Sequence, residues 1–451
     1  MRALKRSCSG DDMSTVRKIL LGVGAAALAF LPGAALAEVP GESAFVFNTF
    51  LFLVTGMVVM FMAAGFTLLE TGMVRSRNAA TICLKNIALY SIAGLMFFAV
   101  GYNLMYTAGP EGVINYFGSF MPWSADDSAA LAEGAVFEGS EYAASSDWFF
   151  QMVFCATAAS IVSGTLAERI KLWPFLIFTA VLTGILYPIT GSWEWGAGWL
   201  DQRGFSDFAG STIVHSVGGW AALSGAIILG ARTGKYVNGH SQSMPGSSLP
   251  LATAGTFILW LGWFGFNGGS QLALGSAADA IAVADIFANT NTAAAAGVLA
   301  AMVMSQMFYQ KVDLTFALNG AIGGLVAITA EPLLPELWQA AVIGGVGGVL
   351  VVLVTPMLDR LRIDDVVGAI PAHLVCGIWG TLIVPWTNPD ATYAVQLTGV
   401  AAVGAFTVVA STVIWVVLRL TLGLRASPEE ELAGLDLSEL GLQAYPEFAK
   451  H

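Results

Sequence analysis

From Phe45 onward, long apolar stretches alternate along the chain with short polar breaks. A helix needs about 20 apolar residues to cross a bilayer, because each residue advances it by only about 1.5 Å. The pattern predicts an all-α polytopic membrane protein. Its eleven transmembrane helices are predicted at residues 45–69, 86–106, 148–166, 173–192, 208–230, 249–267, 286–309, 314–330, 337–357, 365–384 and 392–418.

Composition supports this prediction. Of the 451 residues, 56% are hydrophobic and 11% are charged, whereas soluble domains carry about 25% charged residues. The net charge of −12 argues against a nucleic-acid partner. The four cysteines lack metal-ligand spacing, so we expect no metal and no cofactor. We interpret Cys83, Cys155 and Cys376 as packing residues.

The first 37 residues have the pattern of a secretory signal peptide. Basic residues are followed by an alanine-rich apolar run that ends in Ala35-Leu36-Ala37. We predict cleavage after this motif; a retained first helix is the alternative, and Met13 is a second candidate start. The predicted organisation is a leader at 1–37, a membrane domain at 38–420 and a cytoplasmic regulatory tail at 421–451.

Lysine and arginine are distributed unequally between the two sides of the predicted membrane domain. With the mature N-terminus outside, the cytoplasmic segments hold thirteen of the 19 basic residues, Lys85 among them, whereas the outer segments hold Arg203 alone. Basic residues favour the cytoplasmic side, so we predict a bacterial inner-membrane protein with a cytoplasmic C-terminus. The outer loop 107–147 carries seven acids and no base, and we interpret it as a solvated acidic loop that attracts cations weakly.

One short spacing occurs twice, at the start of the fifth and of the tenth predicted helix. Residues 207–215 and 365–373 both have the pattern D-x-x-G-x-x-x-x-H. An offset of five helices is odd, so the copies start from opposite sides of the membrane, as in an inverted-topology repeat. Eight helical residues advance about 12 Å from the aspartate. His215 and His373 are therefore predicted near the bilayer midplane.

These are the only two of the four histidines that lie inside predicted helices. Imidazole at hydrocarbon depth is costly unless it faces a cavity or a partner, which makes both His215 and His373 candidates for function. A pair of packing histidines that hold helices together is the alternative. For Asp365 we favour the structural role of a helix N-cap, and for Asp207 both roles stay open.

Aromatic side chains accumulate near the predicted outer helix ends. A membrane-interface belt explains such positions, but it does not explain the polar residues Asn267 and Ser270 that follow them. Ring faces together with a hydroxyl bind small cations through cation–π attraction and a hydrogen bond. The aromatic candidates are Phe150 and Phe154, four residues apart on one helix face, with Trp195, Trp263 and Phe266.

Four motifs resemble signatures of the ammonium transporter family, in its Amt/Mep branch. The resemblance covers almost everything from Phe45 to Tyr445. It implies a bundle of two inverted five-helix repeats plus a final helix, assembled as a homotrimer with one pore per subunit. The motifs are Leu166-Ala-Glu-Arg169, Asp207-Phe-Ala-Gly with Val-His215, Trp263-Phe-Gly-Phe-Asn267-Gly-Gly-Ser270 and His373-Leu-Val-Cys-Gly377-Ile-Trp-Gly380.

The same resemblance implies a role for each candidate residue. Glu194, beside the recruitment tryptophan, is a departure whose orientation the sequence does not define. The roles are an outer ammonium-recruitment site at Trp195, Ser270 and Phe154 with Phe150 beside it, a stacked phenyl gate of Phe154 and Phe266, twin pore histidines at His215 and His373, a buried aspartate at Asp207 that shapes the outer site and assists deprotonation, and motif neighbours at Trp263 and Asn267.

The resemblance also implies the activity. Ammonium or methylammonium is recruited, deprotonated at the phenyl gate and conducted as neutral ammonia, with net charge movement favoured. An electroneutral gas channel of the Rh type and an ammonium sensor are the alternatives. We expect no enzyme, because residues 230–236 only partly match a phosphate-binding loop.

The C-terminal tail resembles the family's region that packs across subunits and docks PII signal proteins. Leu440-Gly441-Leu442 stands where many members have His-Gly-Glu, so a PII partner is plausible and not secure.

Overall fold

The computed structural model of the protein describes residues 41–106, 127 and 141–448. The predicted signal peptide and most of the acidic loop lie outside these residues. Within the described part, nine helices are long and apolar enough to cross a membrane, and two shorter apolar helices accompany them. In chain order they are α1 (Gly41–Met73), α2 (Ser76–Tyr106), α3 (Ala144–Thr165), α4 (Leu172–Ser192), α5 (Ser211–Leu229), α6 (Leu249–Gly269), α7 (Ala277–Tyr309), α8 (Leu314–Ile328), α9 (Leu337–Arg360), α10 (Ile370–Trp386) and α11 (Tyr393–Thr421).

The remaining described elements are small. An antiparallel hairpin of β1 (Tyr236–Val237) and β2 (His240–Ser241) follows α5. Two short helices, α12 (Pro428–Ala433) and α13 (Leu435–Leu440), follow α11. The described part of the chain is thus almost entirely helical, and each predicted helix overlaps one of α1 to α11 in the same order.

Side-chain caps explain where several helices begin. Oxygen acceptors on Ser248, Ser276, Asp313 and Thr392 accept hydrogen bonds from backbone N–H groups in the first turns of α6, α7, α8 and α11. Such groups have no partner inside the helix, and a cap supplies one. The predicted start of the seventh helix at 286 is wrong, because the Ser276 cap starts α7 at Ala277. Asp279 and Asp285 interrupt the apolar residues of this first part of the helix, which is why hydropathy placed the start later.

The second helix also starts earlier than predicted, at Ser76 instead of 86. Lys85 therefore does not belong to a cytoplasmic segment, and that prediction is wrong. Its side chain is buried inside the bundle, where Nζ donates to the Ser163 carbonyl at 2.8 Å. Cys155 and Cys376 are buried as predicted, but Cys83 is exposed, so its interpretation as a core packing residue is also wrong.

Helices that the repeat relates to each other pack together. α1 packs along α6, and the first turns of α5 contact those of α10. The close packing of α7, α8 and α9 depends on glycine: a side chain at Gly297, Gly320 or Gly348 would collide with the backbone or Cβ of the neighbouring helix. Small residues let helix backbones approach closely where lipid supplies no hydrophobic drive for association.

Buried ion pairs tie one end of the bundle together, and we call this the basic end. Glu168 pairs with Arg75 and, at 3.3 Å, with Arg232, and Arg232 also pairs with Asp364 at 2.8 Å. Arg169 donates to the Asp364 carbonyl at 2.7 Å. Glu168 and Arg169 come from the Leu166–Arg169 motif, so this motif holds the basic end.

The C-terminal segment docks on the basic end. Asp436 of α13 accepts the N–H groups of Ala80 and Thr81 at 3.0 and 2.7 Å, near the start of α2. Glu431 of α12 pairs with Arg425 at 2.6 Å and accepts the Thr233 N–H at 2.9 Å. Both carboxylates are buried, which anchors the segment to two separate parts of the membrane domain.

The ion pair of Asp364 gives the first testable prediction. Burial alone would raise the pKa of Asp364, but the hydrogen bonds and charge of Arg232 outweigh it and hold the pKa well below its ordinary value. A carboxylate whose pKa is lower in the folded than in the unfolded state stabilises the folded protein fully at pH values above its unfolded pKa of about 3.9. This stabilisation is lost progressively as the pH falls below that value. Asp364→Asn leaves Arg232 without this partner and should cost about 3–5 kcal/mol at neutral pH. Unfolding temperatures of both proteins in detergent should converge at acidic pH; an equal gap at pH 7 and pH 3 would contradict the prediction.

Candidate functional site

Asp207 organises the start of α5. Its Oδ1 accepts the N–H groups of Gly210 and Ser211, at 3.2 and 2.7 Å, and its Oδ2 accepts those of Thr212 and Ile213, both at 2.8 Å. One buried carboxylate thus satisfies four N–H groups that have no partner within the helix. The first six residues of α5, Ser211–Ser216, form a π-helical segment. π turns of this kind are frequent at functional sites.

The second copy of the spacing has a similar local structure. Asp365 accepts the N–H groups of Gly368 and Ile370 at 3.2 and 2.7 Å, and the Thr165 hydroxyl at 3.0 Å. α10 then also begins with a π-helical segment, Ile370–Val375. Gly210 and Gly368 have φ values of 105° and 80°, which explains why the spacing requires glycine. The predicted helix starts at 208 and 365 are therefore wrong by the length of these turns.

The two segments start from opposite ends of the bundle. Asp207 lies beside Trp195, whose indole Nε1 donates to the Asp207 carbonyl at 3.1 Å. Asp365 follows Asp364, a member of the basic end, and Gly230 just after α5 accepts Arg169 Nε at 2.8 Å. These contacts show that α5 and α10 start from opposite ends of the bundle, as the repeat predicts.

His215 and His373 meet at the centre. Their Nδ1 atoms are 3.2 Å apart and both side chains are buried. One Nδ1 must carry a hydrogen and the other must accept it, because two N–H groups cannot bond to each other. In neutral rings the Nε2 atoms are then opposite in character, one an acceptor and one a donor. His215 Nε2 has no hydrogen-bond partner in the described protein, which leaves it free for a small molecule.

A column of rings leads to this pair. Phe154 and Phe266 stack with centroids 3.8 Å apart and an interplanar angle of 19°. Trp195 lies 6.1 Å from Phe154 on one side of this stack, and His215 lies 5.3 Å from Phe266 on the other. The stacked phenyl rings therefore separate Trp195 from the histidines.

On the Trp195 side of the phenyl stack lies a cavity of about 140 Å³, which we call the aromatic cavity. It brings together the predicted recruitment residues Trp195, Ser270, Phe150 and Phe154. Ser270 Oγ donates to the Phe266 carbonyl at 2.8 Å, which leaves the oxygen lone pairs as acceptors. The complete lining is Tyr106, Tyr142, Asp147, Phe150, Gln151, Phe154, Trp195, Phe208, Ser270 and Leu272.

Two predicted neighbours lie outside the aromatic cavity. Trp263 stacks on His215 at 4.9 Å, and its Nε1 donates to Thr329 Oγ1 at 2.8 Å. Asn267 donates to Thr290 Oγ1 at 2.9 Å. Both are buried, so Trp263 fixes the His215 ring and Asn267 ties α6 to α7.

The sequence profile of the Ammonium Transporter Family matches residues 50–445. The chain belongs to the ammonium transporter family. It is 39% identical over 428 residues to ammonium transporter Amt2 of Archaeoglobus fulgidus, a match that covers 88% of this chain and 87% of that relative. It is 40% identical to a putative ammonium transporter of Synechocystis, with 89% of both chains covered.

Solved structures agree with this assignment. The chain resembles a protein described as Sensor Amt Protein, with a TM-score of 0.79, 35% identity and coverage of 87% of this chain and 98% of that one. Mep2 of Candida albicans gives a TM-score of 0.76 and 25% identity, with coverage of 90% and 92%. The protein is therefore a multi-pass membrane protein of a transporter family and not an enzyme.

The segment that partly matches a phosphate-binding loop has a different surrounding. Residues 230–235 lead from α5 into the β1–β2 hairpin, and Lys235 pairs with Asp359 at 3.3 Å.

Glu194, whose orientation the sequence left undefined, does not line the aromatic cavity. Its Oε1 accepts the Asp207 N–H at 2.6 Å, and its Oε2 is buried without a partner among the described residues. Burial and the nearby Asp207 carboxylate raise the pKa of Glu194 well above its ordinary value. The neutral form is thereby favoured, and Glu194 supports the segment that carries Asp207.

Sequence reasoning missed two polar residues of the aromatic cavity. Asp147 was counted in the acidic loop, but α3 begins at Ala144 and includes it. Asp147 and Gln151 are seven and three residues before Phe154 and lie on the helix face that carries Phe150. The spacing could have identified both if the helix had been extended by one turn.

A second, much smaller cavity lies below the histidines. Glu70 and His373 both line it, together with Phe66 and Asn319. Glu70 Oε2 accepts the hydroxyl of Ser163 at 2.7 Å, whereas its Oε1 is buried without a partner among the described residues. Sequence reasoning did not single out Glu70, because an isolated acid within an apolar run carries no motif.

A larger cavity of about 560 Å³ lies elsewhere, between α13 and the start of α2, with Arg77, Asp436 and Tyr445 in its lining. None of the predicted pore residues contributes to it.

Proposed function

We propose that this protein transports ammonium by recruiting the cation in the aromatic cavity, deprotonating it at the Phe154–Phe266 stack and conducting ammonia past His215 and His373. The observation that carries the proposal is the unbroken column of ring contacts from Trp195 through the stacked phenyl rings to the paired imidazoles. Membership of the ammonium transporter family supports ammonium as the substrate.

Selectivity follows from the surroundings of the histidines. Ammonium and K⁺ have similar size and charge, and both gain cation–π attraction in the aromatic cavity. Beyond the phenyl stack a cation loses its water, which costs several kcal/mol. Ammonium avoids this cost by leaving a proton behind, whereas K⁺ has none to release. Ammonia then needs one acceptor and one donor, which the Nε2 atoms of a neutral histidine pair provide.

The family resemblance supports further parts of the proposal. The protein forms a homotrimer of eleven-span subunits, each with two inverted five-helix repeats, in a bacterial inner membrane. The basic end faces the cytoplasm, because basic residues favour that side, and the aromatic cavity faces outward. Residues 1–37 are a cleaved leader. Uptake moves net charge inward because the proton released at the phenyl stack follows the ammonia by a separate route.

An ammonium sensor is the second candidate function. The similarity to a protein described as Sensor Amt Protein favours it, and that match covers 98% of the solved chain. In a sensor, ammonium would bind in the aromatic cavity, and the docked tail would transmit the bound state to a partner. It would not need to move substrate at a useful rate.

Uptake by the purified protein in liposomes distinguishes these functions. Radiolabelled methylammonium should enter protein-containing vesicles, and an inside-negative potential should increase the rate. An uptake rate that does not change with the membrane potential indicates the electroneutral, Rh-type channel. Binding without uptake indicates the sensor, and neither binding nor uptake rejects the proposal.

The recruitment residues give the next prediction. Trp195→Leu removes cation–π attraction worth about 0.5–2 kcal/mol, so the KM for methylammonium should rise by roughly twofold to thirtyfold. Trp195→Phe keeps a ring face and should have the smaller effect. Concentration curves of transport current measure both, and an unchanged curve for the leucine variant removes Trp195 from the site.

The docked tail gives a prediction on PII binding. Deleting residues 425–451 should leave a membrane-inserted trimer, because every predicted span is complete by then, but PII binding should fall below detection. Asp436→Ala keeps the tail and removes its contacts with Ala80 and Thr81, so it should weaken binding in part. Biolayer interferometry with purified PII measures this, and full affinity after truncation would show that PII docks elsewhere.

A further inference from the structure

Asp147 presents a buried carboxylate to the aromatic cavity. It lies in the first turn of α3, is 6% exposed and lines the cavity together with Trp195 and Ser270. The Tyr102 hydroxyl donates to its Oδ2 at 2.6 Å. This hydrogen bond holds the carboxylate in place but brings no positive charge.

Among the described residues, no lysine or arginine forms an ion pair with this carboxylate. Every lysine or arginine that forms an ion pair there does so with another acid. The preceding residues 107–146 contain no lysine, arginine or histidine, so they cannot supply a partner either. A buried charge without a counter-charge is costly. A cation in the cavity would remove that cost.

A second oxygen points to the same kind of ligand. Gln151 follows Asp147 by one helical turn and lines the same cavity. Its Oε1 is buried without a hydrogen-bond partner among the described residues. An unpaired amide oxygen requires a donor, and a cation with N–H groups offers both donor and charge.

We propose that Asp147 is the counter-ion of ammonium in the aromatic cavity and that Gln151 Oε1 accepts one of its N–H groups. The inference rests on the proposed function, because it assigns the transported cation to this cavity. Ring faces attract any small cation, whereas the carboxylate adds a full charge at short range, where water screens it little. Asp147 therefore determines the affinity for the cation in the aromatic cavity, and the histidine pair determines which species passes the phenyl stack.

A charge-relocation series tests this assignment in liposomes at constant pH, with methylammonium as the probe. Asp147→Asn should raise KM by about tenfold or more, which corresponds to about 1.4 kcal/mol, and leave the maximal rate nearly unchanged. Asp147→Glu should retain most of the affinity. The double variant Asp147→Asn/Gln151→Asp restores the negative charge one turn further along α3, and it should recover affinity relative to Asp147→Asn.

The matched control is Glu141→Gln, which removes an exposed acid close to α3. Its KM should stay within about twofold of the wild type, because water screens an exposed charge. Wild-type KM in a folded Asp147→Asn protein overturns the inference and leaves the proposed function intact. A purely structural role of Asp147 predicts that the double variant is at least as impaired as Asp147→Asn, and this result also overturns it. Wild-type protein without any uptake rejects the transport function itself.

Discussion

Replacing His215 or His373 by aspartate is expected to let K⁺ through. Both imidazoles are buried at the centre of the bundle, where a cation that cannot shed a proton has no compensating charge. A carboxylate supplies that charge, so K⁺ current should rise by about tenfold or more over the wild type, equivalent to at least about 1.4 kcal/mol. Paired measurements of K⁺ and NH₄⁺ current in liposomes, at equal protein density, test this expectation.

Alanine at the same positions is the matched control. Alanine removes the donor and acceptor nitrogens without adding charge, and the cavity left by the shorter side chain can hold water. Ammonium transport should fall or lose its coupling to charge, while the fold and the barrier to K⁺ remain. Packing histidines predict the opposite pattern, in which either replacement unfolds the protein or dissociates the proposed trimer. Folded aspartate variants that exclude K⁺ and transport ammonium normally would show that the histidine pair does not control selectivity.

The sequence predicted the order of the helices well because a membrane-spanning helix needs a continuous apolar stretch, which hydropathy detects directly. It failed at helix ends. α2 and α7 extend through polar turns that lie outside the apolar stretch, and Lys85 was assigned to the wrong environment for that reason. Hydropathy reports transfer into lipid and does not register a charge buried among protein groups, such as the Lys85 ammonium beside the Ser163 carbonyl.

The candidate site was predicted unevenly. The D-x-x-G-x-x-x-x-H spacing located both histidines, because a repeated pattern is visible in sequence. Their 3.2 Å approach was not predictable, because it depends on where two π segments cross. Gly377 makes that crossing possible, since a side chain there would collide with Ser216 Oγ and the Ser211 carbonyl. Asp147 was missed because the predicted third helix began at 148, which placed this residue in the acidic loop, whereas α3 begins at Ala144.

Asp207 is a strong test of the link between local structure and transport. Its carboxylate accepts four backbone N–H groups at the start of α5. Asp207→Ala leaves all four without that partner, and each unsatisfied buried group costs about 1–3 kcal/mol. We expect a lower unfolding temperature and uptake near background, because the turn that carries His215 loses its anchor.

Asp365 provides the matched comparison within the same protein. It accepts the Gly368 and Ile370 N–H groups and the Thr165 hydroxyl, so Asp365→Ala should destabilise the protein less than Asp207→Ala. Thermal unfolding in detergent and methylammonium uptake, measured on the two variants side by side, give the order. Asp207→Asn should fall between the wild type and Asp207→Ala, because the amide oxygen still accepts two N–H groups while the NH₂ faces the other two. An equal loss of stability in both alanine variants would mean that the number of satisfied N–H groups does not determine the effect, and the capping account of Asp207 would then be wrong.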